Sequence, residues 1–201
     1  MNSTILNHFK KNDPLLYSFV LRTKISKTIE KENPKNYFVK LCQEIIGQQL
    51  SGRVAEVIFG RFKKLYKGEI VPKKVIETPH EVLRGVGMSN AKAKYVKSLA
   101  AEIIGGGLDL DRLDELTDDE VKDHLLRVKG IGPWTAEMFL IFTLGRPDIF
   151  SHGDLGLKKG IKKVYGLKKD PSRRTVEKII KKWSPYKSFA SLILWESLEV
   201  E

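Results

Sequence analysis

The sequence predicts an all-α protein, a helical bundle. Strand patterning is nearly absent, and apolar residues recur at three- and four-residue spacing along almost the whole chain. Short breaks containing Gly, Pro or Asp separate these periodic stretches, with no long linker and no low-complexity segment between them.

Roughly ten helices follow from this spacing. Asp13-Pro14 opens one through "LLYSFVLRTKI", proline being suited to a first helical turn. Pro34 breaks the chain, and "NYFVKLCQEIIG" places Phe38, Leu41, Ile45 and Ile46 on one side. After Gly47, "QLSGRVAEVIFGRFKKLYKG" reads as a long helix closed by Gly68. "PHEVLRGVGMSNAKAKYVKSLAAEIIGGG" holds a short helix, a glycine turn and a long helix stopped by glycines. "TDDEVKDHLLRV" starts with Thr117 followed by Glu120 three residues on, the pattern of a capping box. "PWTAEMFLIFTLG", "DLGLKKGIKKVYG", "SRRTVEKIIKKW" and "YKSFASLILWESL" complete the set.

A chain of 201 residues can bury a real core as one large domain or two interlocked lobes. No apolar run reaches the roughly 18 residues of a membrane span. The N-terminal "MNSTILNHFKKNDPLLYSF" becomes polar too soon for a signal peptide, so a cytoplasmic or nucleoid-associated protein (nuclear in a eukaryote) is expected. The one cysteine, Cys42, excludes an intramolecular disulfide and a cysteine-ligated iron–sulfur cluster, and its apolar setting reads as core.

The net charge of +11 points to a polyanionic partner, and its distribution sharpens the point. Ser151–Lys187 carries twelve Lys/Arg against three acids, whereas Asp109–Asp123 carries eight acids against two bases. Such polarity favours nucleic acid over uniform solvation.

"VKGIGPWTAEM" (Val128–Met138) is the most informative stretch. Gly130 and Gly132 permit positive φ and close backbone approach, and Pro133 suits the first turn of the next helix. Free N–H groups there, with the positive end of the helix dipole and Lys129 alongside, form a seat for a phosphate. A plain αα-hairpin has the same spacing. "LRGVGMSNAKA" echoes the design, with a Gly-apolar-Gly element between two helices.

"LLRVKGIGPWTAEM", followed by the loop "RPDIFSHG" and Asp154, resembles the helix–hairpin–helix DNA glycosylase superfamily, in which a catalytic aspartate follows the second hairpin helix. "HFKKNDPLLYSF", "IIGQQLSGRVA", "LRGVGMSNAKAKYVKSLA" and "WSPYKSFASLILW" are similar, in order, to segments of its 3-methyladenine (alkylpurine) glycosylase branch, in compact form. The resemblance spans nearly the whole chain. It implies a central lobe, 34–145, ending in the hairpin, a second lobe from 1–33 and 146–201 carrying Asp154, and an active site between them.

A carboxylate at a helix start is ordinarily an N-cap, a role compatible with catalysis because helix-start N–H groups favour its charged form. Hydrolysis of an N-glycosidic bond develops oxocarbenium character, which Asp154 would stabilise while orienting or deprotonating water. By resemblance, Trp195 lies against that aspartate, and Trp134 is a second wall of the base pocket. Met138 stands where some relatives have a pocket tyrosine, which implies a shallower pocket. Stacking and cation–π attraction of ~0.5–2 kcal/mol per contact would favour a cationic alkylated purine. Phe38, Phe139 and Phe142 read as core. Where relatives that also cut the backbone carry a Schiff-base lysine, this chain has Trp134, and indole cannot supply the amine.

The resemblance places gap-filling side chains in "GQQLS", with Gln49 as the wedge and Gln48, Leu50 and Ser51 beside it; the same residues could be a polar helix start. It also implies a monovalent cation (Na or K) on the carbonyls of Leu126, Val128 and Ile131, with no other cofactor required. His152 is a candidate helper or phosphate contact, or a loop histidine packed on the surface. The expected protein is a monomeric, monofunctional glycosylase acting on damaged double-stranded DNA. The rival readings are a non-catalytic DNA-binding or damage-sensing module, and a glycosylase for hypoxanthine, an oxidised base or a mismatched base.

Overall fold

The computed structural model describes residues 2–22 and 28–199. Among them are twelve α-helices and no strand, so the all-α expectation holds. They are α1 (Ser3–Asn12), α2 (Pro14–Arg22), α3 (Tyr37–Gly47), α4 (Gly52–Leu65), α5 (Pro72–Glu77), α6 (His80–Gly85), α7 (Asn90–Ile104), α8 (Asp118–Leu126), α9 (Pro133–Phe142), α10 (Leu155–Val164), α11 (Arg173–Ile180) and α12 (Lys187–Ser197). A 3-10 turn, Pro34–Asn36, precedes α3. No described helix is long and apolar enough to cross a membrane.

Two helices escape the periodicity. The ten-residue α1 buries only Ile5 and Phe9 and is started by Asn2, whose side chain accepts from the Ile5 N–H. The six-residue α5 buries one residue, Val75, too few to show a period. The stretch "LLYSFVLRTKI" is helical to Arg22, and its last three residues, 23–25, lie outside the described residues. At Thr117 the capping box is complete: the threonine side chain takes the Glu120 N–H and the glutamate takes the Thr117 N–H. Each such cap satisfies amides that the helix leaves unpaired.

The chain divides into two compact units, Lys31–Leu144 and Met1–Glu30 with Gly145–Glu201. In the first, α3 packs against α4, α7 and α9, α7 lies on α5, and α8 lies on α9. The apolar face read from "NYFVKLCQEIIG" is the one buried: Tyr37, Leu41, Cys42, Ile45 and Ile46 are all fully enclosed. Burial pushes the Cys42 thiol well above its ordinary range, as suits a packing residue rather than a nucleophile.

In the second unit the core joins α1, α2, α10, α11 and α12 through Phe9, Leu16, Leu157, Ile161, Trp183 and Leu194. Asp13, 1% exposed, sits within it as a polar staple. Its carboxylate accepts from Trp183 Nε1 at 3.0 Å, from the Tyr165 hydroxyl, and from the Leu16 N–H at 3.3 Å. A buried carboxylate is tolerated because three donors replace water. Desolvation, then the hydrogen bond and charge of Asp13, holds the Tyr165 phenol above its usual pKa.

Glu44, on α3, is one acid that folding treats badly. Burial raises its carboxyl to about 7, with Lys40 only partly offsetting the effect. The folded state therefore holds a proton that the unfolded chain releases from about pH 4.5, so stability falls as pH rises from there to about 7. The expected outcome is that Glu44→Gln gains on the order of 2 kcal/mol over wild type at pH 8, with the gap closing below about pH 4, in denaturant titrations at both pH values.

Candidate active site and nucleic-acid interface

Asp154 is the N-cap of α10: its Oδ1 accepts the Leu157 N–H at 2.8 Å. The same oxygen accepts from Trp195 Nε1 at 3.2 Å, so the indole of α12 and the amide of α10 fix the carboxylate from two directions. This approach of α10 to α12 depends on two glycines one turn apart. A Cβ at Gly156 would lie 3.0 Å from Asp154 Oδ1 and 3.2 Å from Trp195 Cδ1. A Cβ at Gly160 would lie 2.8 Å from the Leu194 carbonyl oxygen. The sequence reading passed over both, although their four-residue spacing in "LGLKKG" puts them on one helix face.

The loop leading to Asp154 is pinned by the start of α12. Ser188, fully buried, donates its hydroxyl to the Arg146 carbonyl at 2.6 Å and accepts the Ile149 N–H at 3.0 Å. Asp148 accepts from Ser184 Oγ at 2.7 Å and from Lys187 Nζ at 2.9 Å. These residues also went unread in the sequence, because serine and aspartate in a loop carry no signal of a partner some forty residues away. His152 stacks edge-on against Phe150 and places Nε2 3.5 Å from Glu177, as a packed loop histidine does. With Lys158 and Arg173 it lines a cleft floored by Phe150 and Val176, inside the basic stretch Ser151–Lys187.

The hairpin lies in the other unit, between α8 and α9. Gly130 has φ +98, and a Cβ there would sit 2.2 Å from Tyr95 Cγ, so both conformation and space demand glycine. Both glycines permit positive φ, but Gly132 does not use it. It is extended, φ −98 and ψ 175, serves as N-cap of α9, and a Cβ there would meet nothing within 4 Å. Its surroundings leave the start of α9 open to a ligand rather than packing against it. Lys129 is exposed and Ile131 buried, so the turn alternates charge outward and anchor inward. Lys122 of α8 pairs with Glu137 of α9 at 2.7 Å, tying the two hairpin helices together.

The carbonyls at this turn differ in their load. Val128 O accepts the Ile131 N–H at 3.0 Å, whereas those of Leu126 and Ile131 accept no backbone hydrogen bond among the described residues. No cluster of three His, Cys, Asp or Glu suited to a metal occurs among the described residues.

The stretch "GQQLS" is a turn between α3 and α4, not the opening of α4 read from the sequence. Leu50 N–H bonds to Gly47 O at 3.1 Å, and Gln49 is left-handed with φ 56. That φ lies outside the right-handed helical region, so α4 cannot include Gln49, and the conformation costs a non-glycine residue ~1–2 kcal/mol. Gln49 is exposed and Leu50 half-buried, while exposed Ser51 is the N-cap of α4 without a side-chain bond. Gln48 points elsewhere: its amide donates to Gly130 O at 2.8 Å and to Thr135 Oγ1 at 3.1 Å.

Trp134 is 42% exposed and lines a groove with Gln48, Tyr95 and Gly130–Thr135. Met138 is buried at 4%. Of the three phenylalanines read as core, Phe38 and Phe139 are buried, but Phe142, on the last turn of α9, is 37% exposed.

A positive-φ glycine turn between two helices, followed in the chain by a helix-capping aspartate, is the arrangement expected of a helix–hairpin–helix protein. The chain belongs to the HhH-GPD superfamily of base excision DNA repair proteins, which residues 42–185 match. DNA-3-methyladenine glycosylase 1 of Schizosaccharomyces pombe is 30% identical over 195 residues, 96% of this chain and 84% of its own length. YfjP of Bacillus subtilis is 37% identical over 128 residues, 64% of this chain, and the match spans 45% of YfjP. The structure of the S. pombe 3-methyladenine DNA glycosylase Mag1 in complex with abasic DNA superposes with a TM-score of 0.85 at 28% identity, covering 98% of each chain.

The two hairpin glycines should separate on substitution. Gly130→Ala is expected to cost on the order of 3 kcal/mol and lower Tm by about 6–12 °C, because Tyr95 cannot yield that far. Gly132→Ala is expected to leave Tm within about 2 °C while weakening duplex DNA binding several-fold, read by thermal melts beside fluorescence anisotropy.

Proposed function

We propose that this protein is a monofunctional DNA glycosylase that flips out alkylated purines of the 3-methyladenine and 7-methylguanine type and hydrolyses their N-glycosidic bond. The observation that carries the reading is Asp154, fixed by the Leu157 amide and the Trp195 indole in a helix–hairpin–helix protein. The likeness to relatives named as 3-methyladenine glycosylases supports the substrate class.

An alkylated purine carries positive charge, and the electron pair of the breaking C1′–N bond neutralises it, so departure needs little acid catalysis. The sugar is left with oxocarbenium character. The Asp154 carboxylate stabilises that cation, and water adds to C1′ as its proton passes to the carboxylate or to solvent. The Trp195 indole fixes the carboxylate and offers an electron-rich face to a cationic base. Trp134 supplies a further aromatic surface, and Met138, in place of a pocket tyrosine, makes the pocket shallower.

At the hairpin, the open start of α9 at Gly132 and the exposed Lys129 support a backbone phosphate. The carbonyls of Leu126, Val128 and Ile131 suit a hard monovalent cation, since neutral oxygens at a helix C-terminus favour one. Bound there, the cation would add positive charge toward the phosphate. The cleft of His152, Lys158 and Arg173 adds charge on the unit that carries Asp154. The protein acts as a monomer on damaged double-stranded DNA, in the cytoplasm or nucleoid of a prokaryote or the nucleus of a eukaryote.

Asp154→Asn is expected to bind an abasic-site duplex while slowing release of 7-methylguanine by at least about 10²-fold, measured by mass spectrometry of freed bases. Equal release by both proteins would sink the assignment of the reaction to Asp154, and wild-type release no faster than spontaneous depurination would turn the reading to a non-catalytic DNA-binding module. With no lysine at Trp134, borohydride is expected to trap no covalent enzyme–DNA adduct on denaturing gels. An adduct would show that the reaction continues to strand cleavage.

A further inference from the structure

The strained Gln49 and its neighbour Gln48 point to a device that the proposed activity does not by itself require. Gln49 is one of only two non-glycine residues with positive φ among the described residues. Strain of this kind persists where the surroundings hold it, and here the holding group is adjacent. The Gln48 amide nitrogen reaches across to the hairpin and spends both of its hydrogens there, on the Gly130 carbonyl and the Thr135 hydroxyl. Gly130 is itself pressed against the Tyr95 ring, and Thr135 is buried at 3%, so neither acceptor can follow a moving glutamine. With the Gln48 side chain fixed inward, the turn closed by Leu50 N–H on Gly47 O leaves the Gln49 side chain outward.

We propose that Gln48 is a positioning residue that locks the Gln49 turn to the Gly130–Thr135 hairpin, so that filling the gap in the duplex and gripping the backbone phosphate act as one unit. This rests on the reading of the chain as a DNA glycosylase. Gln48 touches no DNA in this scheme: the sequence placed it among the wedge residues, and the geometry makes it their support. A glutamine is required because one amide group must donate twice. Glutamate has the same size and cannot donate, and asparagine is one methylene too short.

A double-mutant cycle on a duplex containing a tetrahydrofuran abasic site tests the coupling. Gln48→Ala and Gln49→Ala are each expected to raise Kd about tenfold, and the double variant by little more than either, since an unsupported wedge is already lost. A roughly hundredfold rise in the double variant would mean independent side chains and would overturn the proposal. Gln48→Glu, which keeps the packing volume, should behave as Gln48→Ala, and wild-type affinity in Gln48→Glu would equally overturn it. A second readout needs no DNA: amide hydrogen exchange in Gln48→Ala should rise both in residues 48–51 and in residues 130–135. A rise confined to 48–51 refutes the lock while leaving the glycosylase reading intact. Absence of base release by wild type would instead sink that reading, with the exchange experiment still deciding the lock.

Discussion

The contact between α10 and α12 is the constraint on which the chemistry rests. Helix axes normally stand apart by the width of two side chains, and here Gly160 removes one of them against the Leu194 backbone. That closeness brings Trp195 Nε1 within hydrogen-bonding distance of Asp154, and Gly156 clears the space through which the bond passes. Anything larger at either glycine moves the indole away from the carboxylate. The position of the Asp154 carboxylate is therefore set by residues that have no side chain and no chemistry.

The same economy governs the hairpin. Gly130 and Gly132 look alike in sequence, yet one packs against an aromatic ring in a left-handed conformation and the other faces open space in an extended one. Their roles divide accordingly into holding the turn and admitting a ligand. The earlier turn "LRGVGMSN" repeats the backbone plan: Gly87 has φ +107, Met88 is buried as Ile131 is, and Ser89 caps α7 as Gly132 caps α9. Of these two turns, only the second has a capping residue without a side chain, so of the two only α9 has its first amides left to a ligand. Ser89 instead spends its hydroxyl on the Lys92 amide.

Most of the helices were legible because each buries a periodic face. The α3 stripe of Leu41, Ile45 and Ile46 is buried where the spacing put it, and the Thr117–Glu120 capping box is formed as its spacing required. The short α5 and the sparsely buried α1 were not legible, since their apolar residues are too few to define a period. The boundary of α4 was misread because a local pattern cannot reveal that Gln49 is left-handed, or that its neighbour Gln48 bonds to residues some eighty positions away. Phe142 was misread because aromatic content says nothing about which turn of a helix reaches the surface.

By itself, the sequence determined the helical class, the polarity of charge, the single buried-type cysteine, and the order of hairpin, loop and aspartate. These follow from residue identity and spacing along the chain, which is local information. The tertiary structure decided which oxygen of Asp154 is engaged and by what, which hairpin glycine is indispensable to the turn, and that the Gln48 amide bonds to Gly130 and Thr135. Those properties are distances between segments far apart in sequence. They are fixed only when close packing selects one set of partners for each donor and acceptor.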